Sequence, residues 1–335
     1  MLERVTARGR NNFSTLPTAF CSVLLFHTRI INLKVEGHTL FFMTCLCLSE
    51  AKGMIKNMII VRIQGGIGNQ LFQYAFYKEL EARGKQVYAD LSKFDSKGEY
   101  RQYELPKLSL EVNQATQEML AQYKINNPFI KRLYSTGLFS KQVIIDKKSQ
   151  TYSDEFWKYD DVYMIGYWQS AKYFPSVANS IRNSVKFINI DTKNQLMIKK
   201  MKNVNSVSVH VRLGDYVGCK MYENICTPRY YKNAINYIKT LQPEVKFFVF
   251  TDEIEKAREY FYNEEVEFVE LNSGENSYLD MLLISSCKHH IMANSSFSWW
   301  GVFLSEFKDG IVLTPSKWLN GIETPDIWCE EWIKI

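Results

Sequence analysis

The sequence contains no run of 18 apolar residues, so nothing in it reads as a bilayer-spanning helix. Only 16 glycines and 8 prolines in 335 residues exclude collagen-like or low-complexity character. Its seven cysteines form no C-x-x-C pair, and the odd count argues against a secreted disulfide framework. Cys45 and Cys47 stand two apart, a poor zinc-ligand spacing, so reduced thiols in a cytosolic protein are the expectation. The five histidines (His27, His38, His210, His289, His290) form no H-x-x-x-H, and no D-x-D triplet occurs. Metal chemistry therefore has little support. The absence of G-x-x-x-x-G-K-[ST] removes a P-loop, and the absence of G-x-S-x-G removes the common serine-hydrolase signature.

What is present suits a globular protein of one large domain or two ordinary ones: 46% hydrophobic, 23% charged and 14% aromatic residues. Of 41 Lys/Arg and 36 Asp/Glu, residues 1–57 hold seven and three, which leaves the rest nearly neutral. A nucleic-acid partner is not expected from that balance.

The first 57 residues differ in texture. Two apolar runs, AFCSVLLF and LFFMTCLCL, are too short to span a bilayer, and no small-residue cleavage site follows the first. This stretch reads as non-domain extension translated upstream of a start at Met58; a membrane-associating extension is the alternative.

From Met58 onward strands and helices alternate. IIVRI and QVYAD read as strands around a helix over 70–83. The region 92–155 is less periodic, and GYWQSAKYF at 166–174 leads into another helical segment. After 188–206 the alternation resumes: strands VSVHVR, KFFVFTD, VEFVEL, HHIMAN and GIVLTP are separated by helices TPRYYKNAINYIKTL, EIEKAREYF, SYLDMLLISSC and SFSWWGVFLSEF. Thr227 is the expected N-cap of the first of these helices, with Pro228 in its first turn. This order predicts an α/β protein with parallel sheets. We expect two Rossmann-like domains facing across a cleft, 58–200 and 201–335.

Three strand-to-helix turns carry candidate chemistry. Gly65-Gly66-Ile67-Gly68-Asn69-Gln70 offers glycines for close backbone approach and a helix N-terminus for an anion. The third glycine of a dinucleotide fingerprint is replaced by Leu71, although Asp90 could mimic its ribose ligand; a plain tight turn is the alternative. His210, Arg212 and Asp215 share the C-terminal edge of a strand, where open α/β sheets bind ligands. Arg212 suits a diphosphate, and a structural Arg–Asp pair is the alternative. Asp252 reaches the same edge, either as a nucleotide acceptor or as a helix N-cap. Asn294-Ser295-Ser296-Phe297-Ser298-Trp299-Trp300-Gly301 is the third turn, its hydroxyls and free N–H groups fit for phosphate. Trp299 and Trp300 by themselves read as core.

Together GGIGNQLFQYAFYKEL, GYWQSAKYF, VHVRLGDYV, TPRYYKNAINYI, FFVFTDEIE and CKHHIMANSSFSWWGVFL resemble the bacterial α-1,2-fucosyltransferases of glycosyltransferase family 11, in order, over about residues 58–320. The resemblance implies a GT-B fold. It also implies inverting, metal-independent transfer of fucose from GDP-β-L-fucose to the 2-hydroxyl of a terminal β-galactoside on an oligosaccharide or glycolipid, with no cofactor. It further implies that Arg212 clamps the β-phosphate while His210 and Asp252 address the guanine. Ser295, Ser296, Phe297 and Ser298 would hold the phosphates, Asn69 would lie near the reacting bond, and Gly66 and Gly68 would shape the loop beside it. Asp215 is the first candidate general base and Glu223 the second. Surface-glycan synthesis in a bacterial cytoplasm is the implied setting, with peripheral inner-membrane contact left open. The alternatives are an NAD-type oxidoreductase and a non-catalytic nucleotide-sugar-binding module.

Overall fold

The structure, a computed structural model, describes residues 57–95, 101–123, 142–147, 150–242, 244–324 and 326–335. The expectations for 1–57 and for part of 92–155 thus fall outside the described residues, Asn57 excepted. Residues 57–335 form one compact unit.

The first half is built on a four-stranded sheet. β1 (Met58–Arg62) is an apolar run buried over its first four residues, as a parallel strand covered on both faces must be. The buried helix α1 (Ile67–Ala82) leads from it to β2 (Gln86–Asp90). After a 3-10 turn at Leu105–Leu108 come the short α2 (Gln117–Ala121), capped by Thr116, then β3 (Gln142–Ile145) and β4 (Val162–Ile165). The order is β2-β1-β4-β3, all parallel. β4, central in this sheet, is absent from the sequence reading. VYMI is only four residues long and follows Asp160-Asp161, which masks the run.

Two helices, α3 (Ala178–Ser184) and α4 (Thr192–Lys202), lead into the second half. There β5 (Asn205–Val211), α5 (Pro228–Leu241), β6 (Val245–Thr251), α6 (Ile254–Tyr260) and β7 (Val266–Phe268) alternate as expected. Thr227 caps α5 by accepting the Tyr230 N–H at 3.3 Å. Then follow α7 (Tyr278–Ser285), β8 (His289–Ile291), α8 (Ser296–Phe303), β9 (Val312–Thr314) and β10 (Ile333–Lys334). The sheet order is β10-β9-β8-β5-β6-β7, all parallel. Counted from β5, this is the 3-2-1-4-5-6 order of the dinucleotide fold, with its reversal between β5 and β8. The smaller sheet reverses between β1 and β4. The protein is thus α/β, with two parallel Rossmann-like bodies of the GT-B class.

Helix α1 buries twelve of its 16 residues and α8 six of its eight, so each is covered on nearly every side. They pack on one another at the seam between the sheets. The Phe72 ring of α1 lies tilted 4.5 Å from Trp299 and edge-on 5.2 Å from Trp300, and Phe174 stacks on Trp300 at 5.6 Å. Both tryptophans are fully buried, as core residues. One hydrophobic cluster runs from Ile59 and Leu71 through Trp299 to Trp332, across both halves. Among the described residues no helix is long and apolar enough to cross a membrane.

Candidate functional site

The two strands flanking the reversal of the larger sheet lead into two of the predicted turns, Arg212–Asp215 after β5 and Asn294–Phe297 after β8. Ligands of open α/β sheets bind at such a point. Asp252, just past β6, organises the first turn. Its Oδ1 accepts the Leu213 N–H at 2.9 Å and its Oδ2 the Gly214 N–H at 3.1 Å. Gly214 is required there, because a Cβ would stand 2.6 Å from Asp252 Oδ2.

Arg212 lies between two carboxylates. Its Nη1 is 2.9 Å from Asp252 Oδ2, and its Nε and Nη2 reach Asp215 Oδ1 at 2.9 and 2.7 Å. Burial opposes the guanidinium charge, but Asp252 and Asp215 outweigh it and raise the pKa. His210 is buried, and its Nδ1 has no partner. Burial, helped by the Arg212 charge, brings its pKa down to about 4, so the ring is neutral at pH 7. Its centroid lies 5.6 Å from that of Phe297.

At the second turn Ser295 caps α8 by accepting the Phe297 N–H at 3.3 Å. Ser296 and Phe297 are half-buried. Ser298 turns inward, where its hydroxyl donates to the carbonyls of Ala293 and Ser295 at 3.2 Å each. Asn294 donates to the Trp318 carbonyl at 3.0 Å.

The glycine turn after β1 meets this second turn directly. A Cβ on Gly68 would stand 2.5 Å from the Ser296 carbonyl carbon and 2.7 Å from the Phe297 nitrogen. Glycine at 68 therefore lets the first turns of α1 and α8 touch backbone to backbone. Two buried glutamines of α1 hold the surroundings. Gln70 donates to the carbonyls of Gly65 and Gln102, both at 2.8 Å, and accepts the Glu104 N–H at 2.8 Å. Gln73 accepts the Gln64 N–H and donates to the Gly166 carbonyl, both at 2.9 Å. Asn69 accepts from Gln169 Nε2 at 2.7 Å. Gln169 follows Trp168, whose φ of +45° turns the chain there.

Arg101 completes the bridge. Its Nη1 lies 3.7 Å from where a Gly66 Cβ would be, and its Nη2 lies 3.3 Å from Asp215 Oδ2. Ion pairs thus run from Arg101 through Asp215 to Arg212 and Asp252.

The family model for glycosyl transferase family 11 matches residues 30–335. The chain belongs to that family. It is 32% identical over 292 residues to an α-1,2-colitosyltransferase of Escherichia coli, covering 83% of this chain and 99% of that one. It is 29% identical over 305 residues to the O-antigen biosynthesis glycosyltransferase WbnK of Escherichia coli, covering 82% and 99%. Among solved structures, fucosyltransferase NodZ from Bradyrhizobium aligns with a TM-score of 0.43 at 16% identity, over 75% of this chain and 94% of that one, too slight a likeness to carry an argument.

Around these strand ends the structure gathers Gly66, Gly68, His210, Arg212, Asp215, Asp252, Ser295, Ser296 and Phe297, with Asn69 on the α1 side. Ser298 is brought near, but its hydroxyl is spent on backbone carbonyls. The helix-cap alternative for Asp252 does not hold: Glu253 occupies the N-cap position of α6 and makes no side-chain cap. Asp90 is consumed inside the first half, accepting from the Tyr163 hydroxyl and, at 2.9 Å, from the Ser92 N–H, which leaves no ribose ligand in that position. Glu223 is half-buried, and its carbonyl accepts from Asn320 at 2.9 Å. Sequence reasoning missed Arg101, which carries no motif signal. It also missed Gln70, Gln73 and Gln169. For the α1 pair there is a signal, two glutamines three apart inside the run Leu71, Phe72, Tyr74, Ala75, Phe76.

Cavities of about 510 and 520 Å³ open elsewhere, one beside Trp318 and Trp328, the other beside His289 and Phe307. No predicted site residue lines either. Among the described residues no three His, Cys, Asp or Glu side chains converge as a metal cage.

Proposed function

We propose that this family 11 glycosyltransferase transfers L-fucose from GDP-β-L-fucose to the 2-hydroxyl of a terminal β-galactoside, inverting the fucose carbon without a metal, in the synthesis of a bacterial surface glycan. The observation that carries the reading is the close backbone approach of the glycine turn at Gly68 to Ser296 and Phe297, beside the ion pairs that join Arg101 of the first half to Asp215 and Arg212 of the second. Residues 58–200 would serve the acceptor side and 201–335 the donor side.

In that reading the breaking sugar–phosphate bond leaves negative charge on GDP and positive charge on the sugar. Arg212 and the N-terminal turn of α8 would face the diphosphate where its charge grows. Neutral His210, with its unpartnered Nδ1, addresses the guanine. Asp252, engaged by two backbone N–H groups and Arg212, fixes the loop and has little capacity left for a base. Asp215 is the first candidate to take the acceptor proton. It must release a guanidinium to do so, and Glu223 stands second.

The α-1,2-colitosyltransferase relative favours a second donor, because colitose is a fucose without its 3-hydroxyl. A site that hydrogen-bonds the 3-hydroxyl rejects the deoxy sugar strongly, whereas one with an apolar wall does not. Incubation with lactose, EDTA and either GDP-fucose or GDP-colitose, followed by product analysis, separates them. We expect 2′-fucosyllactose. Product from GDP-colitose alone reassigns the donor, and transfer from neither to any β-galactoside rejects the proposal.

A further inference from the structure

Arg212 is a weaker anion clamp than its position suggests. It touches Asp215 and Asp252 at hydrogen-bond distance, so this group carries one positive charge against two negative ones. Taken alone the cluster repels a diphosphate, and a neutral His210 does nothing to correct it. The missing charge comes from the other half of the molecule. Arg101 reaches across to Asp215 Oδ2 at 3.3 Å and adds a second guanidinium beside these carboxylates.

Buried Gln70 fixes the segment that carries that guanidinium. Gln70, fully buried, grips the residues just beyond Arg101 through the Gln102 carbonyl and the Glu104 N–H. The same amide holds the Gly65 carbonyl, so the Arg101 segment and the glycine turn move as one. Gly66 has no side chain, and Arg101 Nη1 and Cζ lie 3.7 and 3.9 Å from the position a Cβ would take. The side chain is one-third exposed, which leaves it open to a ligand.

We infer that Arg101 is a second diphosphate-binding residue of the donor site, contributed by the acceptor-side sheet, with Asp215 as its resting partner. This rests on the nucleotide-sugar reading above. Ligand phosphate replaces the Asp215 carboxylate on Arg101 and Arg212, so two arginines from opposite halves grip one leaving group. A charge-assisted contact of that kind is worth roughly ten- to hundredfold in affinity.

The test is calorimetric titration of the full chain and of Arg101→Gln and Arg101→Lys with GDP, GMP, UDP and ADP, with thermal melts alongside. We expect Arg101→Gln to weaken GDP binding at least tenfold and GMP binding much less, at an unchanged melting temperature, with Arg101→Lys recovering part of the loss. Equal losses for GDP and GMP, or GDP affinity unchanged in Arg101→Gln, overturn the inference. Should the wild type prefer UDP or ADP, the guanine assignment fails while Arg101 is judged on that diphosphate. Binding of no nucleoside diphosphate by the wild type rejects both.

Discussion

The two halves hold their functional loops by different chemistry. Around β1 and β4 the positioning groups are neutral amides: Gln70 and Gln73, fully buried, tie backbone to backbone, and Gln169 orients Asn69. Around β5 and β6 they are charges, with Asp252, Arg212 and Asp215 linked in series. Buried amides are insensitive to pH and salt but tolerate no missing partner. Charges near solvent can exchange one partner for another when a ligand arrives. The comparison teaches that a rigid frame and an exchangeable clamp meet in one site, and that Arg101 is the point where the first half contributes a charge to the second.

The largest effect should fall on the clamp. Arg212→Ala leaves Asp252 and Asp215 facing each other and removes the charge opposite the leaving group. Turnover in initial-rate assays should drop by 10²-fold or more, about 3 kcal/mol, with the fold retained. Turnover within tenfold of wild type would take Arg212 out of the mechanism. Next comes the frame. Gly68→Ala drives a Cβ into the Ser296 backbone, which cannot yield as a side chain would. Urea unfolding should show a loss of about 2–3 kcal/mol. Wild-type stability would mean that the α1–α8 approach is not close in solution. Gln70→Leu should follow at about 2 kcal/mol, since it strands two carbonyls and an N–H. Its stability loss should be independent of salt, and a salt-dependent loss would break the contrast drawn between the halves.

The last test is a pH dependence carried by the larger half. Burial brings His210 down to about 4 and His290 to about 3. An unfolded histidine titrates near 6.5, so between there and pH 4 the unfolded chain binds the extra protons. The stability that these rings contribute is complete above pH 6.5. It falls on acidification through that window, by up to about 1.4 kcal/mol per pH unit for each ring. Asp280, pushed up to about 7 by burial, works the other way, and its contribution is lost as pH rises toward 7. Urea midpoints should therefore drop between pH 6.5 and 4, and more steeply in Asp280→Asn. A slope unchanged by Asp280→Asn would show that this carboxyl does not titrate in the fold.

Legibility in the sequence follows the same division. β5, β6, α5 and the motifs after them are visible because long apolar strands end in charged turns and Thr227-Pro228 marks a helix start. β4 escapes because four residues between acidic and aromatic neighbours show no period. β10 escapes because two residues carry no pattern at all. In the site, Arg212, Asp215 and Asp252 stand out as charges at strand ends. Arg101 does not, because its place depends on a pairing with Asp215 that only the fold creates, 114 residues along the chain. Ser298 misleads in the opposite direction: its hydroxyl looks available in N-S-S-F-S, yet helical geometry turns it toward Ala293 and Ser295.

The aromatic seam limits how family members can recombine. Because Phe72 and Phe174 from one half interlock with Trp299, Trp300 and Phe303 from the other, the halves are not cassettes to be exchanged between relatives. A chimera joined between α4 and β5 would inherit two mismatched faces of one core and would have to redesign both. The loops at the strand ends lie outside that seam, so they can be exchanged without disturbing it.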